Sequence, residues 1–144
     1  MTHKFASILI ALLTLCAQPI AAQQTATKTF VKTINTLQKG TVELNLPGDV
    51  DIKTWEGTSI KVEMTINLPS GSNGMLSELA NVGRYNIAAK PEGEVLEVTM
   101  PNMARTVKVK GALLRENLSF VVFMPKDLKV ETLNTTDLLA AEKK

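Results

Sequence analysis

Histidine and cysteine are almost missing from this sequence. The single histidine is His3 and the single cysteine is Cys16, both within the first 22 residues. That segment has the pattern of a cleaved leader, so the remaining chain is expected to hold neither residue. Without cysteine no disulfide closes within it. Ser-His-Asp and Cys-His catalysis are excluded, as are ordinary zinc sites and the usual haem and iron–sulfur ligation. Carboxylate chemistry, Ser–Lys or Thr nucleophiles, and oxygen-ligated calcium or magnesium stay open. Aromatics are scarce as well. Past the leader there are only Phe30, Trp55, Tyr85, Phe120 and Phe123, which argues against an extended sugar-stacking face. Net charge is small, with a formal value of +2 and no like-charge run longer than Lys143-Lys144. Nothing in that balance pulls the chain toward nucleic acid.

The leader itself is legible. Residues 1–4 are short and basic through Lys4, residues 5–15 are apolar apart from Ser7 and Thr14, and Ala21-Ala22 precede Gln23. A basic start, an apolar core and small residues before a cut describe a secretory signal peptide with cleavage between Ala22 and Gln23. A membrane span needs about 20 apolar residues, so this segment is short for one. A lipid anchor at Cys16 is disfavoured, because Leu15 stands where a lipoprotein site wants a small residue. The expected localisation is therefore export to the periplasm or cell surface, with no transmembrane segment in the mature chain. Cleavage leaves 122 residues with a net charge of +1, a normal size for one domain with one core.

Period-two alternation dominates the mature chain. Val42, Leu44 and Leu46 alternate with polar residues, then Val50 and Ile52, then Ile60, Val62, Met64, Ile66 and Leu68. One buried and one wet face mark an antiparallel or solenoid sheet. Trp55 breaks the alternation, which predicts a bulge or corner. Tyr85, Ile87 and Ala89 alternate before a turn at Pro91-Glu92-Gly93, and Leu96, Val98 and Met100 alternate after it. Val107 and Val109 suggest another strand carrying Lys108 and Lys110 on one face. Residues 118–125, "LSFVVFMP", are apolar on both faces and are expected to form the most buried strand. Leu128 and Val130 begin the last, which is expected to reach as far as Leu133. The prolines at 47, 69, 91, 101 and 125 fall at expected strand ends, where a missing donor is tolerated. Only residues 75–82 carry helical spacing, with Ser72 or Asn73 as a cap and Gly83 as a stop.

The expected fold class is all-β, as antiparallel or solenoid-like stacked sheets or a sandwich of about eight to ten short strands, with one short helix near 75–82. The expected organisation is a signal peptide at 1–22, a flexible Thr-rich start and first strand at 23–38, a single β domain at 39–134 and a polar tail at 135–144.

Four patterns taken together resemble a known kind of domain. They are Gly40-x-Val42-x-Leu44, Val50-x-Ile52-x-x-Trp55, Ile60-x-Val62, and Phe120-x-Val122-x-Met124-Pro125-x-x-Leu128-x-Val130. They look like the opening unit of the secreted bacterial adhesin-like β-strand-repeat domains, which are similar to auto-transporter adhesin head domains. The resemblance spans residues 35–133. It implies an all-β, solenoid-like stack on the envelope side, with no established catalytic residues to carry over. Such domains usually continue with further Gly-rich strands after the Pro-x-x-Leu-x-Val unit, whereas this chain stops soon after it. The strand at 128–133 is therefore expected to be an open edge carrying Leu128 and Val130, able to pair with a second copy or an envelope protein. The rival arrangement folds Leu138 and Leu139 of the tail over that edge.

Other candidates weigh less. Asp49 and Asp51 share a strand face, but calcium wants about six to eight oxygens and no loop motif supplies them. Glu92, Glu94 and Glu97 cluster at a hairpin exposed to solvent, a poor place for a glycosidase pair. Trp55 is either a core or corner plug or a sugar platform, with packing favoured. Lys108 and Lys110, near Arg105, are either an anion-binding pair or edge lysines that block pairing. The Asn117 and Asn134 glycosylation patterns matter only in a eukaryotic secretory pathway.

The expected function is an exported non-enzymatic β domain in envelope or adhesion-type interactions, without cofactor or metal. The first alternative is a small periplasmic binding module for a lipid or hydrophobic ligand. A carboxylate-based hydrolase is the last.

Overall fold

The computed structural model describes residues 25–132. The signal segment with Cys16, Ala22 and Gln23, the end of the last strand at Leu133 and the tail with Leu138 and Leu139 lie outside the described residues. The described chain has ten strands and one α-helix: β1 (Ala26–Ile34), β2 (Thr41–Asn45), β3 (Asp49–Trp55), β4 (Ile60–Leu68), α1 (Asn73–Asn81), β5 (Ala88–Glu92), β6 (Val95–Thr99), β7 (Lys108–Val109), β8 (Ala112–Leu113), β9 (Asn117–Pro125) and β10 (Lys129–Thr132). A single 3-10 turn spans Pro101–Ala104.

Two four-stranded sheets face one core. One has the order β1-β4-β9-β3 and the other β10-β2-β6-β5, while β7 and β8 form a separate hairpin. This is a sandwich-like all-β fold. Its pairing is mixed. β3 runs parallel to β9, and β10, β2 and β6 are parallel in series. The chain passes from the second sheet to the first between β2 and β3 at Pro47-Gly48. Gly48 has φ +133, and a Cβ there would stand 2.3 Å from the carbonyl oxygen of Leu118, so only glycine fits the crossing.

The alternating sets meet in the middle. Val42 and Leu44 of β2 and Leu96 and Val98 of β6 face Ile60, Val62, Met64, Ile66 and Leu68 of β4 and Phe120, Val122 and Met124 of β9, all buried in one cluster. The inward set expected for β4 is confirmed in full, and β4 rather than β9 has the most buried residues. β9 is apolar on both faces for another reason. It is a central strand whose outward Val121 and Phe123 are half-buried under neighbouring side chains.

Helix α1 starts two residues before the expected position. Ser72 caps it, its side chain accepting from the Met75 N–H at 3.2 Å. Gly83, at φ +77, ends it in a Schellman arrangement. The Gly83 N–H donates to the Ala80 carbonyl and the Arg84 N–H to the Leu79 carbonyl, at 2.9 and 3.0 Å. Leu76 is the helix residue that enters the core.

Several expectations are corrected. Tyr85 is not in a strand; it follows the helix cap, and β5 begins at Ala88 with every residue exposed. Pro91 lies inside β5, not at a turn, and the β5–β6 connection is Gly93-Glu94 alone. An outermost strand tolerates a proline because its outward side needs no donor. Trp55 makes no bulge. The β3–β9 register runs unbroken from Asp49 opposite Ser119 to Trp55 opposite Pro125, and Trp55 falls on the outer face with Asp51 and Lys53. Lys108 and Lys110 do not share a strand face. Lys110 and Gly111, at φ +50 and +84, are the central residues of a tight turn between β7 and β8, matching the double left-handed pattern of a type I′ hairpin.

Candidate functional site

The outer face of the first sheet is built by cross-strand pairing. β4 presents Lys61, Glu63, Thr65 and Asn67 outward, and register sets them beside Phe123, Val121, Ser119 and Asn117 of β9. On the other side stand Thr33, Val31, Thr29 and Thr27 of β1. The two ends of this face differ. At one end hydroxyls and amides interlock: Thr29 and Thr65 hydroxyls lie 2.9 Å apart, and the Asn67 amide donates to the Thr27 hydroxyl at 2.8 Å.

At the other end the Lys61 ammonium stands 4.0 Å from the Phe123 ring centre and 5.5 Å from that of Trp55. The two rings are 6.2 Å apart and tilted. The Lys61 charge also meets Glu63 at 2.9 Å. Cation and rings attract through the ring quadrupole.

Trp55 is fixed in orientation. Its indole N–H donates to the Ser59 carbonyl at 3.0 Å, and its ring packs so closely on Gly57 that a Cβ there would stand 2.4 Å from it. Beside it opens a cleft of about 500 Å³ lined by Thr36, Gln38, Trp55, Thr58, Lys126 and Leu128, among others. One wall is a turn in which the Lys39 N–H donates to the Thr36 carbonyl at 3.0 Å. Its central residues, Leu37 and Gln38, have φ +52 and +58. Two successive non-glycine residues in the left-handed region are strained. Lys126 pairs with Glu56 across the rim.

A second group is buried. The Arg84 Nε donates to both Glu116 carboxylate oxygens at 2.8 and 3.0 Å. Another guanidinium nitrogen reaches the Arg105 carbonyl at 2.8 Å. The Tyr85 hydroxyl donates to Glu116 Oε1 at 2.7 Å, and the Asn102 amide donates to the Gly83 carbonyl at 2.9 Å. The Arg84 and Glu116 side chains are only 8% and 5% exposed. The hydrogen bond that Arg84 donates to Glu116 raises the Arg84 pKa against the opposing effect of burial. Burial first, then the bond to Glu116, holds the Tyr85 phenol above its ordinary 10.0. This cluster fastens the helix exit to the 3-10 turn and to the segment before β9. Tyr85 also borders a cleft of about 540 Å³ that includes Phe30, Met64, Ile87 and Pro101.

The residues singled out from sequence are not gathered in one place. Trp55 and Leu128 line the same cleft. Leu128 and Val130 pack against the core, and among the described residues β10 is the outermost strand of its sheet. Lys108 is exposed on the β7–β8 hairpin, and Lys110 borders a cleft of about 390 Å³ with Met75 and Leu114. Asp51 pairs with Lys53 at 3.5 Å, and Glu92 with Lys90 at 2.6 Å. Among the described residues no group of three or more His, Cys, Asp or Glu could hold a metal ion, and no helix is long and apolar enough to cross a membrane. Sequence reasoning missed Arg84 and Glu116, because no local pattern joins a residue after a helix cap to one before a distant strand.

No protein-family model matches the chain, and no curated protein matches it. A solved structure of a "putative cell adhesion protein" from Clostridium sporogenes is similar with a TM-score of 0.44 and 13% identity, over 74% of this chain and 46% of that one. The chain thus spans less than half the length of that protein.

Proposed function

We propose that this chain is an exported, non-enzymatic β domain that works through adhesion-type surface contacts. The outer face of the first sheet carries the reading. Two half-buried rings and a cation sit at one end, held in place by hydrogen bonding and packing, and a field of Thr, Ser and Asn groups extends from them. Rings offer area to apolar C–H faces, and hydroxyls and amides offer paired donors and acceptors. Saccharide chains of a cell envelope combine those two chemistries. The buried carboxylate of Glu116 is already bonded to Arg84 and Tyr85, which speaks against a hydrolytic role for it.

The test has two arms. Protein recovered from the envelope fraction should begin at Gln23; intact Met1 in the cytosol would end the export reading. Labelled protein should bind whole cells, and Lys61→Glu and Thr65→Lys should weaken that binding while Lys90→Glu on the other sheet should not. Prior periodate oxidation of the cell surface should abolish it. Binding indifferent to the face variants would defeat the assignment.

The cleft beside Tyr85 supports a second reading, a site for a small hydrophobic ligand, since Phe30, Met64, Ile87 and Pro101 line it. An apolar fluorescent probe bound by the wild type and lost on Ile87→Arg would favour it.

A further inference from the structure

Among the described residues the two main sheets end in four outermost strands, β1, β3, β10 and β5. Two of them, β1 and β5, carry a feature that discourages pairing. β1 has Lys28 and Lys32 in phase with its inward Ala26, Phe30 and Ile34, so any strand laid beside it meets charge on the core side. β5 contains Pro91, which lacks a donor. Inward charges and proline are among the usual protections of sheet edges.

β3 has none of them. It is seven residues long with sequence DVDIKTW, and it contains neither proline nor glycine. Its core-side positions are Val50, Ile52 and Thr54, with no charge among them. Among the described residues its substantial packing is against β9 alone. Residues 51–54 are all exposed, and Ile52, which should be covered, is 38% exposed.

The β3 sequence is complementary to itself. Placed antiparallel to a second β3 about a two-fold axis at Ile52, Asp51 of each copy falls opposite Lys53 of the other, and Ile52 opposite Ile52. Asp51 and Lys53 lie on the outer face, so two opposite-charge cross-strand pairs form on that side. The two exposed isoleucines cover one another on the core side. Such a contact is isologous and closes on itself.

We infer that β3 pairs with β3 of a second copy, joining the first sheets of two molecules into one continuous eight-stranded sheet. The inference is independent of what the outer face binds. It places the Trp55–Phe123–Lys61 patches of both copies on one side of one sheet, where two weak contacts would act together. A single strand pair is a small interface, so micromolar rather than nanomolar dissociation is expected.

Charge exchange tests this directly. Sedimentation velocity across a concentration series should show the wild-type protein moving from monomer to dimer. Asp51→Lys puts two positive residues opposite two positive residues, and Lys53→Asp puts two negative opposite two negative. Each variant should keep its thermal melt and weaken dimerisation on the order of tenfold or more, because the two-fold interface contains the altered pair twice. An equimolar mixture of the two variants restores every opposite-charge pair and should dimerise as the wild type does. A wild type that stays monomeric to about 1 mM overturns the inference. So does a dimer that neither variant weakens, which would place the contact at another edge such as β10, and so does a mixture that fails to recover.

Discussion

Arg84 and Glu116 meet across 32 positions of sequence with a guanidinium nitrogen shared between both carboxylate oxygens. Both side chains are nearly enclosed, so each charge depends on the other. Removing one partner of a buried pair leaves the other charge stranded, which typically costs about 3–5 kcal/mol. Glu116→Leu should therefore lose about that much in chemical denaturation. The triple change Arg84→Met, Glu116→Leu, Tyr85→Phe should lose less, because no buried charge or hydroxyl is left unpaired.

Tyr85 is the only tyrosine in the chain, so phenolate absorbance reports this residue alone. Its folded pKa is raised, chiefly by burial. In the unfolded chain it ionises near 10. The stabilising contribution is thus complete below about pH 10 and is lost as pH rises, because the unfolded state sheds a proton that the native state keeps. Native protein should show no phenolate at pH values where a denatured sample is already half-ionised. Tyr85→Phe should remove that part of the alkaline loss of stability.

Gly57 makes room for the single tryptophan. A methyl group at 57 collides with the Trp55 ring at 2.4 Å, and the ring must swing off the Ser59 carbonyl. Gly57→Ala should cost about 1–3 kcal/mol and shift Trp55 emission to the red as the indole enters water. Unchanged emission would mean that the ring does not lie against the 57 backbone.

The turn at Leu37 and Gln38 holds two side chains in the left-handed region. Each such residue is unfavourable by roughly 1–2 kcal/mol relative to its ordinary conformation. Leu37→Asn combined with Gln38→Gly supplies the residues that a type I′ turn favours and should stabilise the protein by about 1–2 kcal/mol. Because Gln38 lines the Trp55 cleft, the same change should reduce any ligand binding there.

The second sheet carries a row of like charges. Register places Glu131 beside Glu43 and Glu43 beside Glu97 on its outer face. Glu131 has Lys129 at 3.2 Å, but among the described residues Glu43 and Glu97 form no ion pair. Like charges on neighbouring strands oppose pairing, so Glu43→Gln should add about 0.2–1 kcal/mol. The gain should shrink as salt is raised, since exposed charges are screened.

How much of the molecule was legible depends on the reach of each signal. β4 could be read residue by residue because it is central, with one buried and one wet face. Ser72 and Gly83 could be read because caps act over three or four residues. β5 could not, because its residues are all exposed and the alternation of Tyr85, Ile87 and Ala89 begins before the strand does. Lys110 was misplaced because its neighbours alternate convincingly and only its backbone reveals the turn. The outer face was half legible: Trp55 stood out by composition, while its pairing with Lys61 and Phe123 exists only through register. Parallel pairing of β3 with β9 and of β10 with β2 was not legible at all, since alternation says which face is buried and nothing about which strand lies alongside.

That topology also sets the order in which the molecule can assemble. β2 cannot complete its pairing until Lys129 arrives beside Thr41, and β3 waits for β9. Local hairpins such as β5–β6 form early, yet neither main sheet can close until nearly the whole described chain is available. Folding dominated by such distant pairings is slow, in the range of milliseconds to seconds. A chain of this kind stays threadable while its last strands are still being made, and commits to its fold only when they are delivered.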